Sequence, residues 1–151
     1  MAEISFREAI VGDADRIAEM NQQLIRDEGH RNPMSLLELT DRMRVWLQGD
    51  YEAVVIHDNQ AVIGYALFRR DPEHIYLRQF FVEPDRRREG IGRAAIAWMW
   101  NNVWADAVRL RLDVLVGNST GRAFWHAMGF SEYCITLEAE RQVGKIETTE
   151  A

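Results

Sequence analysis

The spacing of apolar positions changes several times along the chain. Ile4–Glu8 alternates apolar and polar residues and predicts a short strand. Ala14, Ile17, Ala18, Leu24 and Ile25 then recur at helical spacing, with Asn21 as the one polar member of that face. Asp13 stands where an N-cap belongs. Gly29-His30-Arg31-Asn32-Pro33 breaks this helix. A second helix opens on the capping box Ser35-Leu36-Leu37-Glu38 and turns Leu36, Leu39, Met43 and Trp46 or Leu47 inward. Gly49-Asp50 ends it.

The pattern then becomes strand-like. Residues 51–57 and 61–68 form two apolar runs separated by Asp58-Asn59-Gln60, which predicts a hairpin. Ile75–Val82 is a third β-rich run. A helix over 91–105, a strand over 109–116, a helix over 118–128 stopped by Gly129, and a closing strand over 130–139 complete the chain. The last ten or so residues are polar enough to fray. The order β-α-α-β-β-β-α-β-α-β, without repeats or linkers, describes one mixed α/β domain over 1–151.

Composition narrows the class. The 151 residues are 47% hydrophobic and 28% charged, ordinary for a globular domain. The apolar runs are far shorter than the roughly 20 residues that cross a bilayer, and no basic-then-apolar leader opens the sequence. A lone Cys134 allows no internal disulfide and fits a reducing cytoplasm. The four histidines show no ligand spacing, so no metal site is expected. A net charge of −6 speaks against nucleic acid as a partner.

The distribution of charge says more. Residues 1–58 hold twelve acids against six arginines, and 94–151 seven acids against five bases, whereas 59–93 hold five acids against seven arginines. The basic third contains Arg86-Arg87-Arg88-Glu89-Gly90-Ile91-Gly92-Arg93, running from a strand end into a helix. A helix start offers unpaired N–H groups and the positive end of the dipole. Gly90 and Gly92 permit close backbone approach, and the arginines add bidentate donors, so the segment suits a phosphorylated ligand.

Arg87-Arg88-Glu89-Gly90-Ile91-Gly92 resembles the [Q/R]-x-x-G-x-[G/A] signature of the GNAT superfamily of acyl-CoA-dependent N-acetyltransferases. The preceding Phe80-Phe81-Val82-Glu83-Pro84 looks like that family's strand-four ending. Asn118 to Phe130 is similar to its N-x-x-[A/G]-x-x-[F/L]-Y-x-x-x-G-F segment. The resemblance covers nearly the whole chain. It implies a central, mostly antiparallel mixed sheet with helices on both faces, and acetyl-CoA or CoA as cofactor.

By that resemblance Phe81 and Val82 pair with pantetheine, and Arg87, Arg88, Glu89, Gly90, Ile91, Gly92 and Arg93 hold the pyrophosphate. Asn118 either contacts the cofactor or caps its helix, and Phe124 either lines the thioester end or packs in the core. The implied reaction is direct attack by a primary amine of a small molecule or peptide. Two positions depart from the pattern. Trp125 replaces the tyrosine that often serves as general acid, which leaves Tyr133, water or no specific group. Arg78 and Gln79 stand where the family often places an acidic base, which leaves Glu83, or His30 in the helix connection, a residue type that titrates near neutrality.

Asn21, Glu28, Trp46 and Tyr51 are the acceptor-side candidates, and the acid excess of residues 1–58 favours a cationic amine. Trp98, Trp100 and Trp104 cannot all face one side of a helix, so at least one is expected at the surface or in a homodimer contact. The departures also leave open a catalytically degenerate acyl-CoA-binding sensor.

Overall fold

The computed structural model describes residues 3–141. Five strands form one sheet in chain order: β1 (Ile4–Glu8), β2 (Tyr51–Asp58), β3 (Ala61–Arg70), β4 (Ile75–Val82) and β5 (Leu110–Arg111). Four helices accompany them: α1 (Ala14–Glu28), α2 (Leu36–Gln48), α3 (Ile91–Asn102) and α4 (Ser119–Ala127). β1 to β4 pair antiparallel, and β5 joins β4 in parallel.

The sheet is sandwiched between two cores. Val54, Ile56, Ala66, Phe68, Ile75, Leu77 and Val82 pack under α3 through Ile91, Ala95, Ile96 and Met99. Ala53, Val55, Tyr65, Leu67 and Phe81 pack on the other face against Ile17, Met20 and Leu24 of α1 and Met43 of α2. A central strand buried on both faces reads as a continuous apolar run, which is why β2 lacks alternation. Asn59, at φ +55, takes the left-handed corner of the hairpin between β2 and β3.

The Ser35 capping box forms as expected: Ser35 Oγ accepts from the Glu38 amide at 3.2 Å, and Glu38 Oε1 accepts from the Ser35 amide at 2.9 Å. Asp13 takes the N-cap position of α1, but its side chain makes no capping bond there. Its carboxylate instead takes Arg7 through both oxygens, at 2.8 and 2.9 Å, and accepts the Ile10 amide. The three tryptophans avoid full exposure differently: Trp104 is buried just past α3, Trp100 sits edge-on to it, and Trp98 packs on Phe6.

The largest departures from expectation come late in the chain. The strand expected over 109–116 pairs only at Leu110 and Arg111, and no strand forms over 130–139 among the described residues. Tyr133, Ile135 and Leu137 are exposed there. Alternation alone does not make a strand; a ladder partner does, and β5 offers too short an edge. The fraying tail expected at the end falls almost entirely outside the described residues.

A bulge interrupts β4. Leu67 pairs with Gln79 and Phe68 with Leu77, so Arg78 is an extra residue on β4. Bulges re-aim side chains, and this one turns Arg78 and Gln79 toward the α1–α2 face.

Candidate active site

On its β3 side β4 is paired from Ile75 to Val82, but on its β5 side only Ile75 and Tyr76 have partners. The two strands part after Tyr76. The Glu83 amide points at β3, bonding Ile63 O at 2.8 Å, so one residue earlier the main-chain groups of Val82 face the open edge. The Val82 carbonyl accepts from Arg87 Nε at 2.7 Å.

Past Val82 a single 3-10 turn at Pro84–Arg86 leads to the loop before α3. Arg88 (φ +66) and Gly90 (φ +80) are both left-handed, and the first backbone bond of α3 runs from Ala94 N to Gly90 O. The amides of Arg88 to Arg93 therefore have no partner among the described residues, a run of donors at the positive end of a twelve-residue helix. A Cβ on Gly90 would meet nothing within 4 Å, so there the strain of positive φ and intrusion on a ligand matter. A Cβ on Gly92 would lie 3.1 Å from Phe124. These features fit a diphosphate.

The arginines divide in two. Arg86 is engaged by Asp58 and Glu89, and Arg87 by Asp27 at 2.9 Å while it lies over Phe81. Each guanidinium has a carboxylate partner in this structure. Arg88 is exposed, and Arg93 gives only a 3.3 Å bond to Ala127 O, so these two carry the available charge. Phe124 stacks on Phe80 with ring centres 6.1 Å apart, closing the floor of the opening beside Gly92. Trp125 is locked edge-on among Phe80, Phe124 and Phe130.

Across the opening, the end of α1 and its loop supply a second group. Glu28 Oε1 is 3.0 Å from His30 Nε2, and Glu28 Oε2 accepts from Asn118 Nδ2 at 3.3 Å. Asn118 caps α4 as well, its Oδ1 accepting from Gly121 N at 3.0 Å, so its amide serves both sides. His30 lines a cleft of about 310 Å³ with Gly29, Arg31, Asn32 and Leu115.

The other two acid–base candidates are differently engaged. Glu83 is tied to Arg16 at 2.7 Å. Tyr133 stacks on Arg111, whose backbone is level with Tyr76, six residues before Val82 on β4. Of the three, only His30 shares a cleft with the splayed segment after β5.

Comparison with known proteins decides the family. The sequence matches the acetyltransferase (GNAT) family over residues 17–130. The chain belongs to the GNAT acetyltransferases. No curated protein matches this GNAT chain, but many solved structures share its fold. A possible acetyltransferase from Clostridium difficile 630 superposes with TM-score 0.76 at 20% identity, covering 93% of this chain and 98% of that one. An aminoglycoside N-acetyltransferase in complex with CoA gives 0.75 at 15% identity, over 94% and 97%. A ribosomal-protein-alanine N-acetyltransferase from Brucella melitensis biovar Abortus 2308 gives 0.74 at 16%, over 92% and 100%. Among the described residues, no helix of this GNAT domain is long and apolar enough to cross a membrane, and no cluster of metal-ligating residues occurs.

The remaining acceptor-side candidates of the GNAT domain converge on arginines that sequence reasoning passed over. Asn21, buried on α1, accepts from Arg42 Nη2 at 3.1 Å; Arg42 lies over Trp46, and Trp46 packs on Tyr51. Tyr51 Oη accepts from Arg69 at 3.1 Å and Arg78 at 3.3 Å. The signal was present in Asn21, since a polar residue on a buried helix face needs a partner. Of the twelve acids in residues 1–58, Asp13, Asp15, Asp27, Glu52 and Asp58 are each paired with an arginine, whereas Glu28 at the opening is held by His30 and Asn118.

Proposed function

We propose that this protein is an acetyl-CoA-dependent N-acetyltransferase acting on a primary amine, within one complex holding both substrates. The observation that carries this reading is the run of unpartnered amides from Arg88 to Arg93 beside the open edge of β4. Those amides, with Arg88 and Arg93, would hold the diphosphate of CoA, while the Val82 N–H on the open edge would meet its extended arm; the main-chain groups of Phe81, one residue earlier, face β3. Bound there, acetyl-CoA supplies an acetyl thioester as the electrophile.

The rest of the chemistry falls to this chain's own residues. His30 takes the proton that the attacking amine must lose, and Glu28 fixes the imidazole by holding Nε2 while Asn118 holds Glu28. Glu83, neutralised by Arg16, has a structural part. Trp125 has no proton to give at neutral pH, which leaves protonation of the departing sulfur to solvent. Phe80 and Phe124 keep bulk water from the floor of the opening.

Calorimetry with acetyl-CoA, followed by thiol-release assays with a panel of amines, tests the reading. Gly90→Asp is expected to weaken acetyl-CoA roughly 30-fold, through left-handed strain and a negative charge against the anion site. Unchanged affinity in that variant would refute the placement of the loop. Tight CoA binding without turnover of any amine would favour the sensor reading, which the lack of a free carboxylate at Glu83 and of an acid at 125 supports.

A further inference from the structure

Arg42 and Arg78 face the acceptor side of the sheet with no carboxylate in salt-bridge reach among the described residues. Arg42 gives one Nη–H to Asn21, and its Nε is buried without a partner. Burial, and then the charge of Arg78, push its pKa below the usual arginine value. Arg78 stands exposed on the β4 bulge, bonded only to Tyr51 Oη. Both guanidiniums lie over the same indole, 4.2 and 4.8 Å from the centre of Trp46. Neighbouring arginines are neutralised differently: Arg44 by Asp15, Arg69 by Asp71 and Arg70 by Glu52.

Two like charges set against one indole in a partly desolvated place repel, and the charge of Arg78 is felt at Arg42. An anion held by both guanidiniums offsets that repulsion. A planar carboxylate matches the fork of a guanidinium, and Trp46 and Tyr51 wall the place with aromatic faces.

The location assigns this anion to the acceptor. Arg78 precedes Val82 by four residues, roughly 13 Å along an extended strand, whereas the loop with the open amides follows Val82. The pair is therefore on the far side of Val82 from the diphosphate site. A buried tyrosine links it electrostatically to Glu28, the partner of the proposed base. Tyr65 is buried, donates to Gln79 Oε1 at 2.8 Å, and lies near enough to both Glu28 and Arg42 for their charges to act on its hydroxyl.

We infer that the acceptor is an amino carboxylate, such as a free amino acid, held at its carboxylate by Arg42 and Arg78 with its amine turned toward His30. This rests on the acetyl-transfer reading and narrows it. Polyamines and other purely cationic amines would meet two uncompensated guanidiniums and bind poorly.

Thiol release from acetyl-CoA is measured with free L-amino acids, with the corresponding amino-acid amides, and with polyamines. The wild type is compared with Arg42→Gln, Arg78→Gln and Arg78→Lys. At least one free acid is expected to exceed its own amide roughly 100-fold in kcat/KM, as for a charged group that has lost its partner. Either Gln variant removes most of that preference through KM, leaving acetyl-CoA affinity unchanged, and Lys at 78 restores part of it. Arg78 is exposed, so its variants report even if Arg42→Gln melts early. Equal or better use of amides or polyamines, or equal losses on acid and amide, would overturn the inference while acetyl transfer stands. If no amine is turned over, titration of the same amino acids into CoA-loaded protein decides. Arginine-dependent binding supports the site, and absence of binding overturns it. Failure to bind acetyl-CoA defeats the acetyl-transfer reading separately, and titration into the free protein then decides the arginine site in the same way.

Discussion

The two edges of β4 are built to opposite ends. Toward β3 the ladder runs the length of the strand and is interrupted only at Arg78; toward β5 it stops after two residues. The paired edge lies between two apolar cores, whereas the open edge borders a cleft, a loop of free amides and an aromatic floor. One edge is satisfied by the chain itself. The other keeps main-chain groups available to an extended ligand, and a single guanidinium covers one of them.

The largest effect is expected on the paired edge. A Cβ at Gly64 would lie 2.4 Å from the carbonyl oxygen of Phe81 and 3.3 Å from Cα of Val82, both backbone atoms. Gly64→Ala should therefore cost about 3 kcal/mol, read by denaturant unfolding. Stability within about 0.5 kcal/mol of wild type would mean that this edge is looser than its register.

On the open edge, Glu28→Gln should lower kcat/KM roughly tenfold through a poorly held His30. Its affinity for acetyl-CoA should stay within about twofold, since the loop amides are untouched. Equal loss of both would merge the two sides of the opening that the geometry separates.

A smaller effect concerns the junction of β1 with α1. Arg7, and less strongly the Ile10 amide, hold Asp13 below the usual carboxylate value against the opposing effect of burial. The folded pKa is the lower one, so the contribution is present above the unfolded value and fades as pH falls through the folded value. Asp13→Asn should cost about 1 kcal/mol at neutral pH and flatten the acid limb of a stability–pH profile below about pH 4. An unchanged acid limb would remove Asp13 from the account. Tyr133→Phe should change activity least, by less than about twofold, because the ring sits on Arg111 at the far end of β4. A large loss would bring that tyrosine back to the chemistry.

What was legible in the sequence follows the same division. The helices, the hairpin and the three long strands were readable because period and caps are local properties, as with Ser35 and Glu38. Gly90 was readable as the turn residue at a helix start, whereas the close packing of Gly92 on Phe124 was not, since that contact forms only on folding. The late strands were not, since Tyr133, Ile135 and Leu137 alternate without any ladder to join. Charge was the least legible property. Arg86 and Arg87 stand in a basic cluster yet are bound to Asp58 and Asp27, some 28 and 60 residues earlier. Arg42 and Arg78 drew no notice as a pair because 36 positions separate them in the chain, and only folding brings them onto one indole.

The bulge at Arg78 sets the phase of everything after it. Before it, Ile75 and Leu77 face α3; after it, Phe80 and Val82 do, an odd-to-even switch that one extra residue produces. A strand lacking that residue would bring the next aromatic, Phe81, round onto Gly92 and rotate Phe80 into the wall occupied by Met20 and Leu24. One surplus amino acid thus acts like the offset of a gear tooth: it fixes which phenylalanine floors the opening while turning a guanidinium outward on the opposite side.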